Sequence, residues 1–211
     1  FLSSKDLRFK HTYRTLIFLP AMMSIVIVGY LFNLILSNLW GIPQTILGVV
    51  GLEHIYQPWL GLKGPALITI SLISIWQFVG IPMMLFYAAL LNIPDEILDA
   101  AKIDGSGPIK TFCFIKFPLI LPTVGLMVIL TYVGNYNAFD LIFAMKSLYA
   151  GPEYSTDLMG TFFYRTFFGF QMQLGNPTMG ATVASTTFGI ILLGVLIYLF
   201  AFQQRVTRYQ Y

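Results

Sequence analysis

The stretch 65-PALITISLISIWQFVGIPMMLFYAALLNIPDEILDAAKIDGSGPIKTFCFIKFPLILP-122 decides how the chain is read. It opens with Pro65–Leu91, an apolar run without a charge, and then turns polar, with Asp95, Glu96, Asp99, Lys102, Asp104 and Lys110 following closely. At Leu119 a second apolar run begins and continues to Met145. A helix of roughly 20 mostly apolar residues crosses a bilayer core. Each apolar run is therefore long enough to span, and the segment 92–118 between them belongs in water.

The same pattern recurs outward from this stretch. Leu16–Leu39 and Met179–Phe202 also qualify, giving expected spans at about 16–39, 65–91, 119–145 and 179–202. Their interiors hold no Lys or Arg, and Asp140 is their one acid. Of 211 residues 57% are apolar and only 10% are Asp, Glu, Lys or Arg; a soluble domain is about one-quarter charged. That balance excludes disorder, which needs the opposite one. A single cysteine, Cys113, excludes a disulfide framework and a Cys-based zinc site. His11 and His54 are too few and too far apart for a His-rich metal centre. The net charge of +3 comes from scattered bases rather than a cluster interleaved with aromatics, so nucleic acid is not an expected partner. The expectation is an all-α, polytopic helical bundle in a lipid membrane, with at least four visible spans and no metal.

Orientation follows from the bases. With the N-terminus cytoplasmic, that side holds Lys5, Arg8, Lys10, Arg14, Lys102, Lys110, Lys116, Arg205 and Arg208, against Lys63, Lys146 and Arg165 outside. An excess of Lys and Arg marks the cytoplasmic side, so both visible ends and the loop 92–118 are expected there. Trp40 and Trp59 then fall near the outer interface. Pro20, Gly80, Pro82, Pro122, Gly125 and Gly134 break the expected spans. An ordinary kinked bundle and a translocation path both fit such breakers.

Within the loop, Pro94 suits the first turn of a helix, and Asp95 and Glu96 suit the positive end of its dipole. Ile97, Leu98 and Ala101 place an apolar strip along it, and Gly105-Ser106-Gly107-Pro108 ends it. A second short helix is expected over Ile109–Phe117, carrying Phe112, Ile115 and Phe117 beside Lys110 and Lys116. Such a two-helix knob suits a partner's groove, or it packs on its own membrane helices. Asp104 and Gly105 fit either docking or plain helix termination. In the third run Asn135, Tyr136 and Asn137 lie together, with Asp140 one turn on. Polar groups deep in hydrocarbon are costly unless paired or facing an aqueous cavity. Beside Phe139 and Phe143 they would suit sugar hydroxyls and the apolar faces of pyranose rings; hydrogen bonds to a neighbouring membrane helix are the alternative. Gln77 is a weaker candidate of the same kind. In the outer segment 146–178, Glu153 and Asp157 precede the aromatic run Phe162-Phe163-Tyr164, which reads as a lipid-interface anchor, as a short interfacial helix that meets a partner protein, or as a fold closing the outer mouth. No His-Glu-x-x-His motif, serine or carboxylate dyad, or Walker-type phosphate loop is present. Neither an intramembrane enzyme nor a chain that carries its own ATPase is expected.

Asp99-Ala100-Ala101, then Asp104-Gly105, then Ile115 and Pro118 resemble the "EAA" loop of binding-protein-dependent ABC importer permeases. The lead-in Ile93-Pro94-x-Glu96 is similar to that of the carbohydrate-type branch. Asp99 stands where the family usually has Glu, and Ser106 where it has Ala. Phe139-Asp140-Leu141-Ile142, Gly151-Pro152, Thr156, Leu158, Tyr164-Arg165-Thr166-x-Phe168 and Gly180-Ala181-x-x-Ala184-Ser185 continue the resemblance, which runs from about Arg14 to the C-terminus.

That resemblance implies the transmembrane domain of a type I ABC importer, one domain over 1–211 with two or more further helices before Phe1. It implies a non-catalytic permease subunit forming half of a path for an oligosaccharide or sugar derivative, in a bacterial or archaeal plasma membrane. The implied partners are a second, different permease chain, two cytosolic ATPase subunits that hold the ATP and Mg, and an extracytoplasmic solute-binding protein. No cofactor is implied on this chain. Glu96, Asp99, Ala100, Ala101, Asp104 and Gly105 become the residues of ATPase coupling, and Asn135, Tyr136, Asn137, Asp140 and Gln77 those of the substrate path. A permease for another solute, such as a polyamine or phosphate, shares the loop. A self-contained secondary transporter would need embedded acids, and Asp140 alone qualifies.

Overall fold

The computed structural model describes residues 9–37, 40 and 42–203. Lys5, Arg8, Arg205 and Arg208, counted above for orientation, lie outside the described residues, as do positions 38 and 39 at the end of the first apolar run. The regular secondary structure of the described residues is helical apart from one small hairpin, in which Gly169–Phe170 pairs antiparallel with Gln173–Leu174.

None of the first three apolar runs is a single plain α-helix, and each departure has a local cause. The first is α1 (Lys10–Phe18), a 3-10 turn over Leu19–Met22, and α2 (Ile25–Ile35). Pro20 lies in that turn, and Ser24 is extended, with ψ 131°, immediately before α2. After α3 (Ile42–Val49) the second run forms α4 (Lys63–Phe78) and α5 (Gly80–Leu91), with Val79 between them. Pro82 has no N–H to offer Phe78, so the backbone ladder is interrupted there. The loop contributes α6 (Asp95–Ile103) and α7 (Pro108–Thr111). The expected separate helix over Ile109–Phe117 is instead the beginning of the third run: α7 passes through a π-helical turn, Phe112–Lys116, into α8 (Phe117–Tyr136). The wider turn falls where Pro118 would otherwise press on the carbonyl of Phe114.

The third run also ends early. Asn137, Ala138 and Phe139 are outside any helix, and α9 (Asp140–Lys146) starts afresh. Then come α10 (Met159–Phe168) and α11 (Pro177–Tyr198), which ends in a second π-helical turn, Leu199–Gln203. Among the described residues, Pro108–Tyr136 and Pro177–Ala201 are each long and apolar enough to cross a membrane; the two bent pairs bring the number to four if each is one span. Leu126, Val128, Leu130, Phe188, Leu193 and Ile197 on these helices are exposed in the isolated chain. So many exposed apolar side chains belong against lipid or other membrane helices.

The chain divides into two compact units. The first takes the residues up to Ala21, Phe78–Gly134 and those from Ile190 onward. In it Ile93, Ala101, Ile120 and Met127 are buried, and Arg14 lies 3.6 Å above the ring of Tyr87. Tyr132 of α8 donates its hydroxyl to the carbonyl of Ile190 at 2.9 Å. Gly194, one turn further along α11, is the notch that admits the phenol: a Cβ there would lie 2.2 Å from the Tyr132 oxygen.

The second unit is Met22–Gln77 with Asn135–Gly189. Its core is Val28, Leu60, Ile70, Ile73, Leu141, Ile142, Met145 and Ala150, with Met23, Ile25, Phe32, Leu36 and Leu158 packed against it. Helix α2 crosses α9 where Gly29 faces Ala144, and a Cβ on Gly29 would come within 2.6 Å of the Ala144 Cβ.

Candidate functional site

The loop in the first unit has a well-defined geometry. Pro94, at φ −58° and ψ 137°, precedes α6, and Asp95 and Glu96 occupy its first turn. The helix ends on a pair of backbone bonds. The N–H of Gly105 donates to Lys102 O at 3.0 Å and that of Ser106 to Ala101 O at 2.9 Å. This 6→1 and 5→2 pair needs a left-handed residue between helix and exit, and Gly105 supplies it at φ +70°.

Ala101 is buried and Leu98 half-buried, so the apolar strip read from the sequence anchors the helix on these two. Ile97 stays exposed, as do Glu96, Asp99, Ala100, Asp104 and Gly105. Asp99 accepts a 2.7 Å ion pair from Lys102, three residues on. Its hydrogen bond and charge hold the Lys102 ammonium above the ordinary lysine range. Both side chains are exposed, and such a pair contributes little stability. Among the described residues, nothing beyond its chain neighbours lies within 4 Å of the position a Cβ on Gly105 would take. Large apolar groups of the same segment are uncovered, with Ile103 87%, Ile109 80% and Phe114 79% exposed. Cys113, next to Phe114 in sequence, is exposed as well. A short helix with a fixed end, a small residue outward and uncovered apolar groups can seat in another protein's groove.

The polar residues of the third run lie at a helix end rather than midway along a span. Asn135 and Tyr136 close α8, and Asn137 lies in the break. Asp140 opens α9, where its carboxylate suits the positive end of the helix dipole. Asn135, Asn137 and Asp140 are exposed and Tyr136 is half-buried. Phe139 stacks on Phe143 with centroids 5.2 Å apart and on Tyr164 at 5.4 Å, and Tyr164 meets Phe168 at 4.7 Å. The amides and the carboxylate therefore border an aromatic cluster. Gln77 differs from them: it is only 1% exposed, and its Nε2 donates to Met23 O at 3.2 Å.

One group in this unit was missed by the sequence reading. Arg165 Nη2 lies 2.6 Å from Asp157 Oδ2, with the side chains 11% and 19% exposed. Arg165 Nη1 also donates to Leu148 O at 3.0 Å, and the guanidinium lies 4.6 Å from the Tyr154 ring. Thr161, fully buried, donates to Asp157 Oδ1 at 2.6 Å and accepts from the N–H of Leu158. Asp157, just before α10, and Thr161 and Arg165 within it recur every four residues. That spacing was the available signal. The network fastens segment 147–158 to α10, and it places Phe162-Phe163-Tyr164 on a helix, with Tyr164 turned into the aromatic cluster. The described residues hold no group of three His, Cys, Asp or Glu able to bind a metal.

The family of binding-protein-dependent transport system inner membrane components matches residues 3–208. The chain belongs to that family. It is 30% identical over 171 residues to the probable ABC transporter permease protein YurN of Bacillus subtilis (strain 168), covering 81% of this chain and 58% of that one. It is 31% identical over 182 residues to the multiple sugar-binding transport system permease protein MsmF of Streptococcus mutans serotype c, covering 86% and 61%. Lactose transport system permease protein LacF of Rhizobium radiobacter matches at 30% identity over 94% of this chain and 64% of that one. The chain thus spans about three-fifths of the length of these relatives. Its fold is shared with a crystal structure of a bacterial ABC transporter involved in the import of the acidic polysaccharide alginate, at TM-score 0.74 and 22% identity, covering 98% of this chain and 70% of that one. A second structure, that transporter type in complex with an alginate pentasaccharide-bound periplasmic protein, matches at TM-score 0.73 and 24% identity, over 95% and 66%. The all-α membrane fold expected of an ABC importer permease is the one this family member has.

Proposed function

We propose that this chain is a permease subunit of an ATP-driven importer and forms half of the path for an oligosaccharide or sugar derivative. The observation that carries the proposal is the exposed loop on a member of this family: a short helix with a fixed glycine end, and uncovered Ile103, Ile109 and Phe114 in the same 92–118 segment. In this reading α6 docks on a cytosolic ATPase subunit. Glu96, Asp99, Ala100, Ala101, Asp104 and Gly105 form the coupling surface. Asp99 is shorter by one methylene than the Glu of the family pattern, and it is already engaged by Lys102, so it orders the helix surface as much as it reaches outward. ATP and Mg belong to the partner ATPases, and this chain performs no chemistry on either.

Asn135, Tyr136, Asn137 and Asp140 are proposed for the substrate path, where amide, phenol and carboxylate groups bordering Phe139 and Phe143 match sugar hydroxyls and ring faces. The names of the relatives that handle multiple sugars and lactose support a carbohydrate. An extracytoplasmic binding protein delivers the sugar, a second permease chain completes the path, and both visible ends lie on the cytoplasmic side of a bacterial or archaeal inner membrane. The test is uptake in proteoliposomes containing the full-length subunit, the second permease, the ATPases and the binding protein. ATP-dependent accumulation of at least one sugar from a panel of lactose, maltotriose, arabinotriose and raffinose is expected. Accumulation that needs neither ATP nor the binding protein would overturn the reading.

A further inference from the structure

Gln77 is the most deeply buried large polar side chain of the described residues outside the Asp157 network, at 1% exposure. Its Nε2 donates to the carbonyl of Met23, 54 residues away, at 3.2 Å, while its Oε1 is buried without a hydrogen-bond partner among the described residues. The acceptor fixes which end of the amide is which, because only N–H can face a carbonyl. Met23 stands at the break between the 3-10 turn Leu19–Met22 and α2. In an unbroken helix the N–H of Ile27 would take that carbonyl; the extended Ser24, with no side-chain cap, interrupts the ladder. The Gln77 amide thus replaces a helix bond that the break removes, and without it the Met23 carbonyl would lose its partner in a part-buried setting.

From there a continuous set of contacts leads to the path residues, all within the second unit. Met23 packs on the core that contains Leu141, Ile142 and Met145 of α9. Gly29 of α2 lies against Ala144 of the same helix. The first turn of α9 carries Asp140, three residues after Asn137.

We infer that Gln77 is a positioning residue: its amide sets the shape of the Met22–Ser24 break, and through α2 and α9 it holds the Asn137–Asp140 segment in register without touching the sugar itself. This rests on the substrate-path reading above only for its effect on transport; its effect on the break stands independently.

Two readouts in the complete importer in lipid nanodiscs separate these. Spin labels at Met22→Cys and Ile27→Cys, both exposed positions in the single chain, in a Cys113→Ser background report the break itself, without any sugar. Gln77→Met, close in shape but without the donor, should broaden or shift their distance distribution. Gln77→Asn keeps the amide but falls one methylene short, so it should do the same, and it serves if Gln77→Met does not assemble. In proteoliposomes the sugar of the four-member panel that the unsubstituted importer takes up is then titrated. Gln77→Met should lower turnover about tenfold, the equivalent of one lost buried hydrogen bond, with KM within about twofold. Unchanged distances together with a raised KM and full turnover would overturn the inference and make Gln77 a sugar ligand. Broadened distances with no panel sugar carried by the unsubstituted importer would keep the strut while removing the substrate reading.

Discussion

Replacing Gly105 distinguishes the shape of the loop helix from its docking, because the two consequences of a side chain there differ in size. At φ +70° an L residue costs about 1–2 kcal/mol relative to glycine. Nothing within 4 Å adds a steric penalty inside the chain. The folded-state cost is therefore local to the last turn of α6, and it shifts the population of the intact helix end by a factor of roughly 5–30. Spans held by lipid and by their own cores do not sense it, so Gly105→Ala, Gly105→Asn and Gly105→Trp should all reach the membrane in normal amounts. Asn tolerates the left-handed region, and so it removes most of the strain while adding bulk. If the open corner admits an ATPase surface, sugar-stimulated ATP hydrolysis should fall in the order of size, with Ala mildest, Asn next and Trp abolishing it. If glycine serves only to end the helix, Asn should be the mildest of the three. The assay is ATP hydrolysis by proteoliposomes with and without sugar-loaded binding protein, normalised to inserted protein. Full stimulation in Gly105→Trp would refute the mechanical role of this loop.

Further outcomes follow from other parts of the structure. Arg165→Met leaves Asp157 buried without its cation and should cost about 3 kcal/mol in unfolding of the purified complex; adding Asp157→Leu should restore much of that, and simple additivity of the two losses would show that they do not act as a pair. Gly194→Leu drives a side chain into Tyr132, whose oxygen is 2.2 Å from the Cβ position. It should destabilise by about 1–3 kcal/mol even though it raises apolarity, and a thermal midpoint equal to the parent's would contradict the notch. Asn137→Ala should weaken stimulation by sugar while the second permease still co-purifies; loss of that subunit would assign Asn137 to the subunit contact instead.

The apolar runs and the polar loop were legible because bilayer thickness and helix capping act locally in sequence. The two acids after Pro94, and Gly105, are each within one turn of what they satisfy and are used as read, whereas Pro94, read as a first-turn residue, stands one position before the helix. The interruption at Asn137–Phe139 was hidden by the apolar residues on both sides, which make 119–145 look continuous. An Asp at position 140 suited to opening a helix was the mark of the new start. The π-helical turn at Phe112–Lys116 was equally hidden, since Pro118 can be accommodated by a kink, a break or an added residue per turn, and sequence does not choose among them. Gln77 with Met23 and Tyr132 with Gly194 are pairings 54 and 62 residues apart, and no periodicity in one segment encodes a partner in another. Arg165 was misjudged for a different reason. It was counted only as an outer charge, although the four-residue spacing to Thr161 and Asp157 already allowed a paired, largely buried guanidinium.

The most direct test of the central claim is purification of the full-length subunit from its native membrane in mild detergent, with the co-purifying chains identified and counted by mass spectrometry. The account predicts an ATPase subunit and a second membrane permease in stoichiometric amounts, with a cross-linker on Cys113 capturing the ATPase. Recovery of this chain alone, with no ATPase captured through Cys113, would contradict it.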